Sequence, residues 1–402
     1  MHKFRSTDVR LPGVPEFVAF VAAVMAVNAL GIDLMLPAFP VIARSLHIAD
    51  PSSLQSLVTT YAIGFGFGQL VYGPLADRLG RRLVLLVTLC GFAGASVVAA
   101  RANSLPVLLA ARLVQGFLSA STRIVAVAMV RDRFSGSDMS RVLSLAQALF
   151  FAAPVLAPGI GQLLLLTGSW RNLFLALTAF AALVAMWCAV RVPETLDPYN
   201  RRAISPSAII SAYREVIGNR TSMLFTLANM LTYGAIITFI SLSQQVFHEA
   251  FGVRSEFVVY FAVCALAMSA FALLNSRIVN QFGARSVAVG AMSCLFALSI
   301  IHLVVLVAGV ETLSGFVALQ ALSMGCISCA GANFGALAMQ PLGAIAGTAA
   351  SLQGFVASTG GAIVSLLIGY LYDGSTRPFG IGYLAIAILV LVLVKLARSR
   401  EA

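Results

Sequence analysis

Long apolar runs, each about the length that crosses a lipid bilayer, make up most of this 402-residue sequence. A membrane-spanning helix needs roughly 20 predominantly apolar residues, and twelve segments reach that length. They are residues 15–43, 54–76, 83–101, 105–132, 138–166, 169–191, 220–247, 255–280, 284–308, 312–338, 341–370 and 378–397. The sequence therefore predicts an all-α integral membrane protein with twelve transmembrane helices.

The composition argues against a soluble protein. Hydrophobic residues make up 60% of the chain and charged residues 10%, whereas soluble domains contain about 25% charged residues. A water-soluble core could not bury this much apolar surface. The formal net charge of +11 would fit nucleic-acid binding if the basic residues formed one patch.

The basic residues are instead concentrated on one side of the predicted membrane. With the N-terminus inside, the inner segments contain nineteen Lys and Arg residues and the outer segments five, while Arg112 and Arg123 lie inside a span. Basic residues favour the cytoplasmic side, so both termini are predicted to be cytoplasmic. The excess of Lys and Arg on the inner side thus indicates the orientation of the chain in the membrane. An additional role for these residues is contact with anionic lipid. We expect no nucleic-acid partner.

One polar stretch divides the chain into two halves. Residues 193–219 are the longest polar stretch between spans, and they separate six predicted spans from six. This predicts an N-terminal six-helix bundle over 1–192, a cytoplasmic linker over 193–219 and a C-terminal six-helix bundle over 220–402.

A polar decapeptide, Gly-Pro-Leu-Ala-Asp-Arg-Leu-Gly-Arg-Arg, occupies residues 73–82 and has a net charge of +2. Because these charges cannot lie in lipid, the segment is predicted to be a tight turn between two spans. A degraded copy follows 203 residues later, at 276–285. In the two copies Asp77 aligns with Asn280, Gly80 with Gly283 and Arg82 with Arg285. Such repeats are typical of secondary transporters, whose substrate site lies between the halves near the bilayer midplane.

Asp33 is the only acidic residue deep inside a predicted span. An ionised carboxylate is costly in hydrocarbon, so this residue is a functional candidate that should face the protein interior. Burial favours its neutral form and a nearby cation its charged form, so it could take up and release a proton. The alternative is a structural acid that keeps the first helix in place. Pro37 is expected to kink or end that helix just beyond Asp33.

The fourth span has a polar stripe on one helical face. Spacings of three, four, seven and eleven residues bring together Arg112, Gln115, Gly116, Ser119 and Arg123. Such a stripe should line a cavity or a helix interface. Arg112 and Asp33 lie at matching depths, so we expect them to pair. The alternative for both arginines is that the side chain extends to the nearer membrane surface.

Two further spans contain helix-weakening or polar residues. The fifth contains Pro154, Pro158, Gly159 and Gly161. These residues predict bending or tight packing at a domain interface, or alternatively a static kink. In the seventh span Asn229 and Tyr233 are four residues apart, and they either face the cavity or make ordinary contacts between helices.

The sequence contains no pattern of a soluble enzyme. The nucleotide-binding pattern G-x-x-x-x-G-K is absent, so ATP is not the expected energy source. An acid inside the membrane favours an ion gradient instead. We therefore expect a transporter rather than an enzyme, driven by a proton gradient, without cofactor or metal, and monomeric.

Several of these segments resemble the major facilitator superfamily, and within it the twelve-span drug–proton antiporters. Residues 73–82 resemble its G-x-x-x-D-R-x-G-R-R signature, residues 112–116 its R-x-x-Q-G motif and residues 154–161 its antiporter motif. Residues 32–38, 130–132 and 193–195 look like the bicyclomycin and chloramphenicol resistance (Bcr/CflA-type) branch. Arg123 is a charge that the family pattern does not predict.

The resemblance implies two bundles that alternate access to the two sides of the membrane. It implies that Asp33 and Arg112 lie in a proton and substrate pathway. From their positions in the fourth and seventh spans, we assign Gln115, Arg123, Asn229 and Tyr233 to the same pathway. It also implies a cytoplasmic gate, to which we assign Gly73, Asp77, Arg78, Gly80, Arg81 and Arg82.

The leading hypothesis is thus a proton-coupled exporter of small amphipathic compounds or drugs in a bacterial inner membrane. Its expected partners are a small-molecule substrate, protons and membrane lipid. The alternative in the same fold is a dedicated exporter of a metabolite such as a siderophore, sugar or amino-acid derivative. A receptor or scaffold without transport is disfavoured because Asp33 and Arg112 are both present.

Overall fold

The computed structural model describes residues 13–48, 51–134, 142, 155–166, 168–197, 199, 206–253 and 256–398. These residues form helices and short connections, and no strand occurs among them. The helices are α1 (Val14–Asp33), α2 (Phe39–Ser45), α3 (Gln55–Leu79), α4 (Arg81–Ala100), α5 (Leu105–Arg133), α6 (Val155–Leu165), α7 (Arg171–Arg191), α8 (Pro206–Gly218), α9 (Arg220–Glu249), α10 (Phe257–Phe282), α11 (Ala284–Val307), α12 (Leu313–Met339), α13 (Ala346–Phe355), α14 (Gly361–Gly369) and α15 (Arg377–Arg398).

Ten segments of the described chain are long and apolar enough to cross a membrane. They are Val14–Ser45, Arg81–Ala100, Leu105–Arg133, Arg171–Arg191, Arg220–Glu249, Phe257–Phe282, Ala284–Val307, Leu313–Leu342, Gly347–Gly369 and Arg377–Ala397. Two predicted spans are not among them. Helix α3 is long enough but includes polar residues such as Gln55 and Gln69, and the described part of the fifth span, α6, is short.

The first span is interrupted beside its acidic residue. Helix α1 ends at Asp33, and a short 3₁₀ segment, Leu36–Ala38, leads into α2. Pro37 lies inside that segment, where a proline ring and a missing N–H prevent continuation of an α-helix. The predicted end of the helix just beyond Asp33 is therefore confirmed.

The decapeptide at 73–82 is mostly helical, and the prediction that the whole segment is a tight polar turn is wrong in this respect. Helix α3 continues through Pro74 to Leu79, and α4 begins at Arg81. The connection is Gly80 alone, at φ 100°, a conformation that glycine adopts without steric cost. The charged residues of the motif therefore lie on helix ends rather than in a loop.

The repeat predicted from the sequence has a structural counterpart. Gly283 separates α10 from α11 at φ 77°, as Gly80 separates α3 from α4. Arg82 donates to the carbonyl of Ala189 near the end of α7, and Arg285 donates to the carbonyl of Val394 near the end of α15 at 3.0 Å. The same glycine turn and the same hydrogen bond from an arginine to a carbonyl of another helix thus occur once in each half.

The helices pack mainly within each half. In the first half, α5 contacts α1, α3 and α4, and α4 contacts α7; in the second, α12 contacts α9, α10 and α11, and α15 contacts α9 and α11. Helix α3 also contacts α9, α13 and α14 across the halves. The predicted boundaries at 192 and 220 stay a prediction, and α8 lies within the predicted linker.

One transmembrane segment of the second half contains a π-helical turn. Helices α13 and α14 are joined by the π turn Val356–Gly360 within the apolar segment Gly347–Gly369. Such turns insert an extra residue and are frequent at functional positions. This turn faces α3 of the other half.

Candidate functional site

Arg112 is completely buried at the centre of the first half. Its Nη1 donates to the carbonyl of Gly31 at 2.8 Å and to Oε1 of Gln115 at 2.9 Å, and its Nε donates to the carbonyl of Leu57 at 3.2 Å. The guanidinium also lies 4.3 Å from the centre of the Tyr61 ring. Its planar array of donors can thus join three helices at once, and the side chain does not extend to the membrane surface.

A hydrogen-bonded network surrounds this arginine. Gln115 donates to the hydroxyl of Ser96 at 2.7 Å, which connects α5 with α4. The hydroxyls of Tyr61 and Ser119 both donate to Oδ1 of Asn28, at 3.1 and 3.2 Å. Sequence reasoning missed Asn28, although a polar side chain within an apolar run, five residues before Asp33, is a signal that could have identified it.

Asp33 is buried but does not pair with Arg112. It is 3% exposed, and its Oδ1 has no hydrogen-bond partner among the residues that the structure describes. The expected pair is wrong for this conformation, because the guanidinium binds the carbonyl of Gly31 and the side chain of Gln115 instead. One donor, Nη2 of Arg112, also has no partner in the described chain.

The surroundings of Asp33 include both halves of the protein. Its carboxyl group interacts electrostatically with Tyr61 on α3 and with Tyr233 on α9. Tyr233 also interacts with Arg123 and with the hydroxyl of Ser358 in the π turn. The charges of Asp33 and Arg123 in the first half therefore both act on Tyr233 of the second half.

Arg123 and Asn229 have different surroundings from Arg112. Arg123 is exposed although it shares a helical face with the buried Arg112, and it interacts with Tyr233 of the opposite half. Asn229 is half-buried and lies against α12, where its Oδ1 is 3.6 Å from the position of a Cβ atom on Gly331. The contacts of Asn229 thus match the alternative of an ordinary contact between helices.

Two glutamines of α3 bind the opposite half. Gln69 donates to the hydroxyl of Ser358 at 2.8 Å and to the carbonyl of Gly354 at 3.1 Å. Gln55, fourteen residues earlier, donates to Oε1 of Gln245 on α9 at 2.9 Å. These hydrogen bonds connect the halves at two levels along α3, and sequence reasoning identified none of the three partners.

The motif at residues 73–82 forms an ion-pair network within the first half. The Arg81 guanidinium, 2% exposed, binds Asp77 and contacts Asp132 at 3.1 Å. Glu194 accepts hydrogen bonds from the backbone N–H groups of Arg81 and Arg82 at 2.9 and 3.2 Å. A carboxylate at a helix N-terminus satisfies unpaired donors and interacts favourably with the helix dipole.

Two other residues of the predicted gate lie outside this network. Arg78 is exposed. Gly73 faces the second half, since a Cβ atom there would lie 3.3 Å from the Ser351 hydroxyl on α13. The network therefore joins α3, α4, α5 and the segment after α7, while Gly73 marks where this end of α3 meets the second half.

The antiporter-motif residues are described only in part. Pro154 lies outside the described residues, whereas Pro158 is buried in the first turn of α6. A Cβ atom on Gly161 would overlap the carbonyl of Leu34, so α6 approaches the interruption of the first span directly after Asp33. A Cβ atom on Gly159 would lie 3.5 Å from Val258 of α10, in the other half.

Comparison with known proteins identifies the family. The model of the Major Facilitator Superfamily matches residues 21–365. The chain belongs to the Major Facilitator Superfamily. The solved structure of a D-xylose–proton symporter aligns with a TM-score of 0.74 at 15% identity, over 95% of this chain and 97% of that one. At this identity the alignment shows the fold alone.

Curated relatives agree with the branch predicted from the motifs. The bicyclomycin resistance protein homolog of Haemophilus influenzae is 29% identical, over 87% of each chain. The multidrug resistance protein MdtL of Klebsiella pneumoniae is 28% identical, over 90% of this chain and 91% of that one. An uncharacterized transporter of the superfamily from Bacillus subtilis is 28% identical, over 90% of each. The predicted resemblance is thus confirmed, and this membrane-spanning chain is grouped with transporters rather than with enzymes.

Proposed function

We propose that this chain is a proton-coupled antiporter that exports small amphipathic compounds or drugs across the bacterial inner membrane by alternating access. The observation that carries the proposal is the state of Asp33: it is buried, its Oδ1 has no hydrogen-bond partner in the described chain, and its charge acts on tyrosines of both halves. Relatives named for bicyclomycin, chloramphenicol and multidrug resistance support export of drugs.

The proposed topology has twelve spans in two six-helix bundles, with both termini in the cytoplasm. It adds α3 and the fifth predicted span, of which α6 is the described part, to the ten apolar segments. The inner excess of basic residues supports this orientation, and the repeated turn at Gly80 and Gly283 supports the division into two related bundles.

The proposed coupling is a competition for the Asp33 carboxylate. An ionised carboxylate without a partner is unfavourable in a dry interior, so either a proton must neutralise it or a hydrogen-bond donor of the substrate must stabilise it. Proton binding from one side and substrate binding from the other would then exclude each other, which is the requirement for antiport. The charge of Asp33 would then act on Tyr61 in one half and on Tyr233 in the other.

In this proposal Arg112 positions the first span rather than neutralising Asp33. Its bonds to the carbonyls of Gly31 and Leu57 fix α1 against α3 and α5 just before the interruption. The ion pairs of Arg81 with Asp77 and Asp132 would stabilise the cytoplasmic ends of the first half during closure.

Transport in proteoliposomes tests the proposal, with chloramphenicol as the first probe and an imposed pH gradient as the driving force. Asp33→Asn should remove pH-driven transport and substrate-induced proton release, with an unchanged melting temperature. Asp373→Asn, at an exposed acid between α14 and α15, is the matched control and should transport normally. Full pH-driven transport by Asp33→Asn would contradict the proposal.

A further inference from the structure

A cleft of about 330 Å³ opens at one end of the second half, away from the Asp33 region. It is lined by Gly218, Asn219, Arg220, Thr221, Leu396 and Ala397. Its walls are the turn between α8 and α9 and the end of α15. Backbone and polar side-chain atoms contribute to its surface together with the apolar Leu396.

The position of the cleft relative to the membrane follows from the two spans beside it. Arg220 is the first residue of the span Arg220–Glu249, and Ala397 is the last residue of the span Arg377–Ala397. The cleft therefore lies at the level where these spans leave the hydrocarbon. The basic-residue bias assigns this level to the cytoplasmic side.

The charges around the cleft are predominantly positive. Arg220 and Lys395 are exposed, and Arg285 lies beside them because it donates to the carbonyl of Val394. On α8, Arg214 and Glu215 are both exposed. Four basic residues and one acid give this group a net charge of +3.

Helix α8 also presents apolar side chains beside the cleft. Val216 is fully buried against Leu342 and Ala349, which anchors α8 to the second half. Ile210 and Ile217 are 51% and 60% exposed, and their spacing of seven residues places them on one helical face. Ile217 directly precedes Gly218 of the cleft, and its exposed side chain fits contact with acyl chains, because an interfacial helix buries its apolar face at the headgroup boundary.

We propose that this cleft binds an anionic phospholipid of the cytoplasmic leaflet. Arg220 and Lys395 would attract the headgroup phosphate, while Ile217 and Leu396 contact the adjoining hydrocarbon. Basic pockets between transmembrane helices on this side of a membrane are suited to anionic headgroups. The combination of cations and exposed apolar side chains favours a lipid over a soluble anion. This proposal does not depend on the proposed transport activity.

Lipid retention by the purified full-length protein tests the proposal directly. The protein is equilibrated with mixed micelles of phosphatidylglycerol and phosphatidylcholine, and retained lipid is counted by native mass spectrometry. We expect preferential retention of phosphatidylglycerol. Arg220→Gln should weaken it about fivefold, the effect of one basic residue near an anionic surface. Arg131→Gln, at another exposed arginine at the end of α5, should retain it unchanged.

A substitution inside the cleft provides a sharper comparison. A Cβ atom on Gly218 would meet nothing within 4 Å, so a longer side chain fits there without a clash. Gly218→Glu introduces a negative charge, and Gly218→Gln has nearly the same shape without the charge. We expect Gly218→Glu to retain at least about fivefold less phosphatidylglycerol than Gly218→Gln, with equal melting temperatures.

Three results would overturn the proposal. The first is equal retention by Gly218→Glu and Gly218→Gln. The second is equal retention by Arg220→Gln and Arg131→Gln. The third is complete displacement of phosphatidylglycerol by millimolar glycerol 3-phosphate, which would assign the cleft to a soluble phosphate rather than to a lipid.

Discussion

The guanidinium of Arg112 donates to the carbonyl of Gly31 at 2.8 Å, two residues before Asp33 in the same helix. The arginine therefore acts on the backbone of the first span, while the carboxyl group of Asp33 stays unpaired at Oδ1 within the described chain. Their opposite charges and matching depths in the predicted spans suggested a direct ion pair. The observed arrangement separates two roles, because Arg112 fixes the position of α1 and Asp33 stays available to other partners.

Arg112→Lys should destabilise the protein by about 2 kcal/mol, because one ammonium group cannot replace bonds to three acceptors and the contact with the Tyr61 ring. Thermal unfolding in detergent measures the change. Arg123→Lys is the matched control, since Arg123 is exposed on the same helix, and it should leave the melting temperature unchanged. Equal melting temperatures for the two variants would contradict this assignment.

Arg123→Leu should change which compounds are exported while the fold stays intact. The residue is exposed and interacts with Tyr233 of the opposite half, so its charge should favour substrates with anionic groups. Export of matched anionic and cationic dyes from cells measures the preference, and Arg123→Lys should preserve it. An unchanged ratio of the two export rates would favour a side chain that simply extends to the membrane surface.

Cysteines introduced by Gly73→Cys and Ser351→Cys should form a disulfide on oxidation and stop transport. A Cβ atom at position 73 would lie 3.3 Å from the Ser351 hydroxyl, which is compatible with the short separations in disulfides. Gln69→Leu should slow the cross-linking, because it removes the bonds from α3 to Ser358 and Gly354.

Gel mobility measures the cross-link in a background with Cys90→Ser and Cys294→Ser, which removes the exposed native cysteines. Each single cysteine variant serves as the control and should transport normally after oxidation. If the double variant transports normally while fully cross-linked, the contact between α3 and α13 is not part of the transport cycle.

Gly80→Ala should be more destabilising than Gly283→Ala, although both glycines have positive φ angles. The backbone strain of an alanine is common to both positions and costs of order 1 kcal/mol. Only at Gly80 would the new Cβ atom also overlap the carboxylate of Glu194, whereas nothing lies within 4 Å at Gly283. Melting temperatures compare the two, and a larger loss for Gly283→Ala would contradict the role of Glu194.

The local features were predictable because each depends on a short stretch of sequence. In hydrocarbon the backbone must satisfy its own hydrogen bonds, so a sufficiently long apolar run becomes a helix. Pro37 predicted the interruption after Asp33, and the polar segment 73–82 predicted the boundary between two spans. The extent of that boundary was not predictable, because Gly80 alone completes the turn and helix α3 continues through Pro74.

The sequence by itself determined a helical membrane protein of this superfamily, the repeated glycine turn and the presence of an acid and an arginine inside the membrane. The tertiary structure decided their partners: Gly31 and Leu57 for Arg112, Ser358 for Gln69, and Glu194 for the start of α4. These contacts join residues from different helices or helix ends. Their distances depend on how the helices pack, and apolar runs of similar composition do not specify which faces meet.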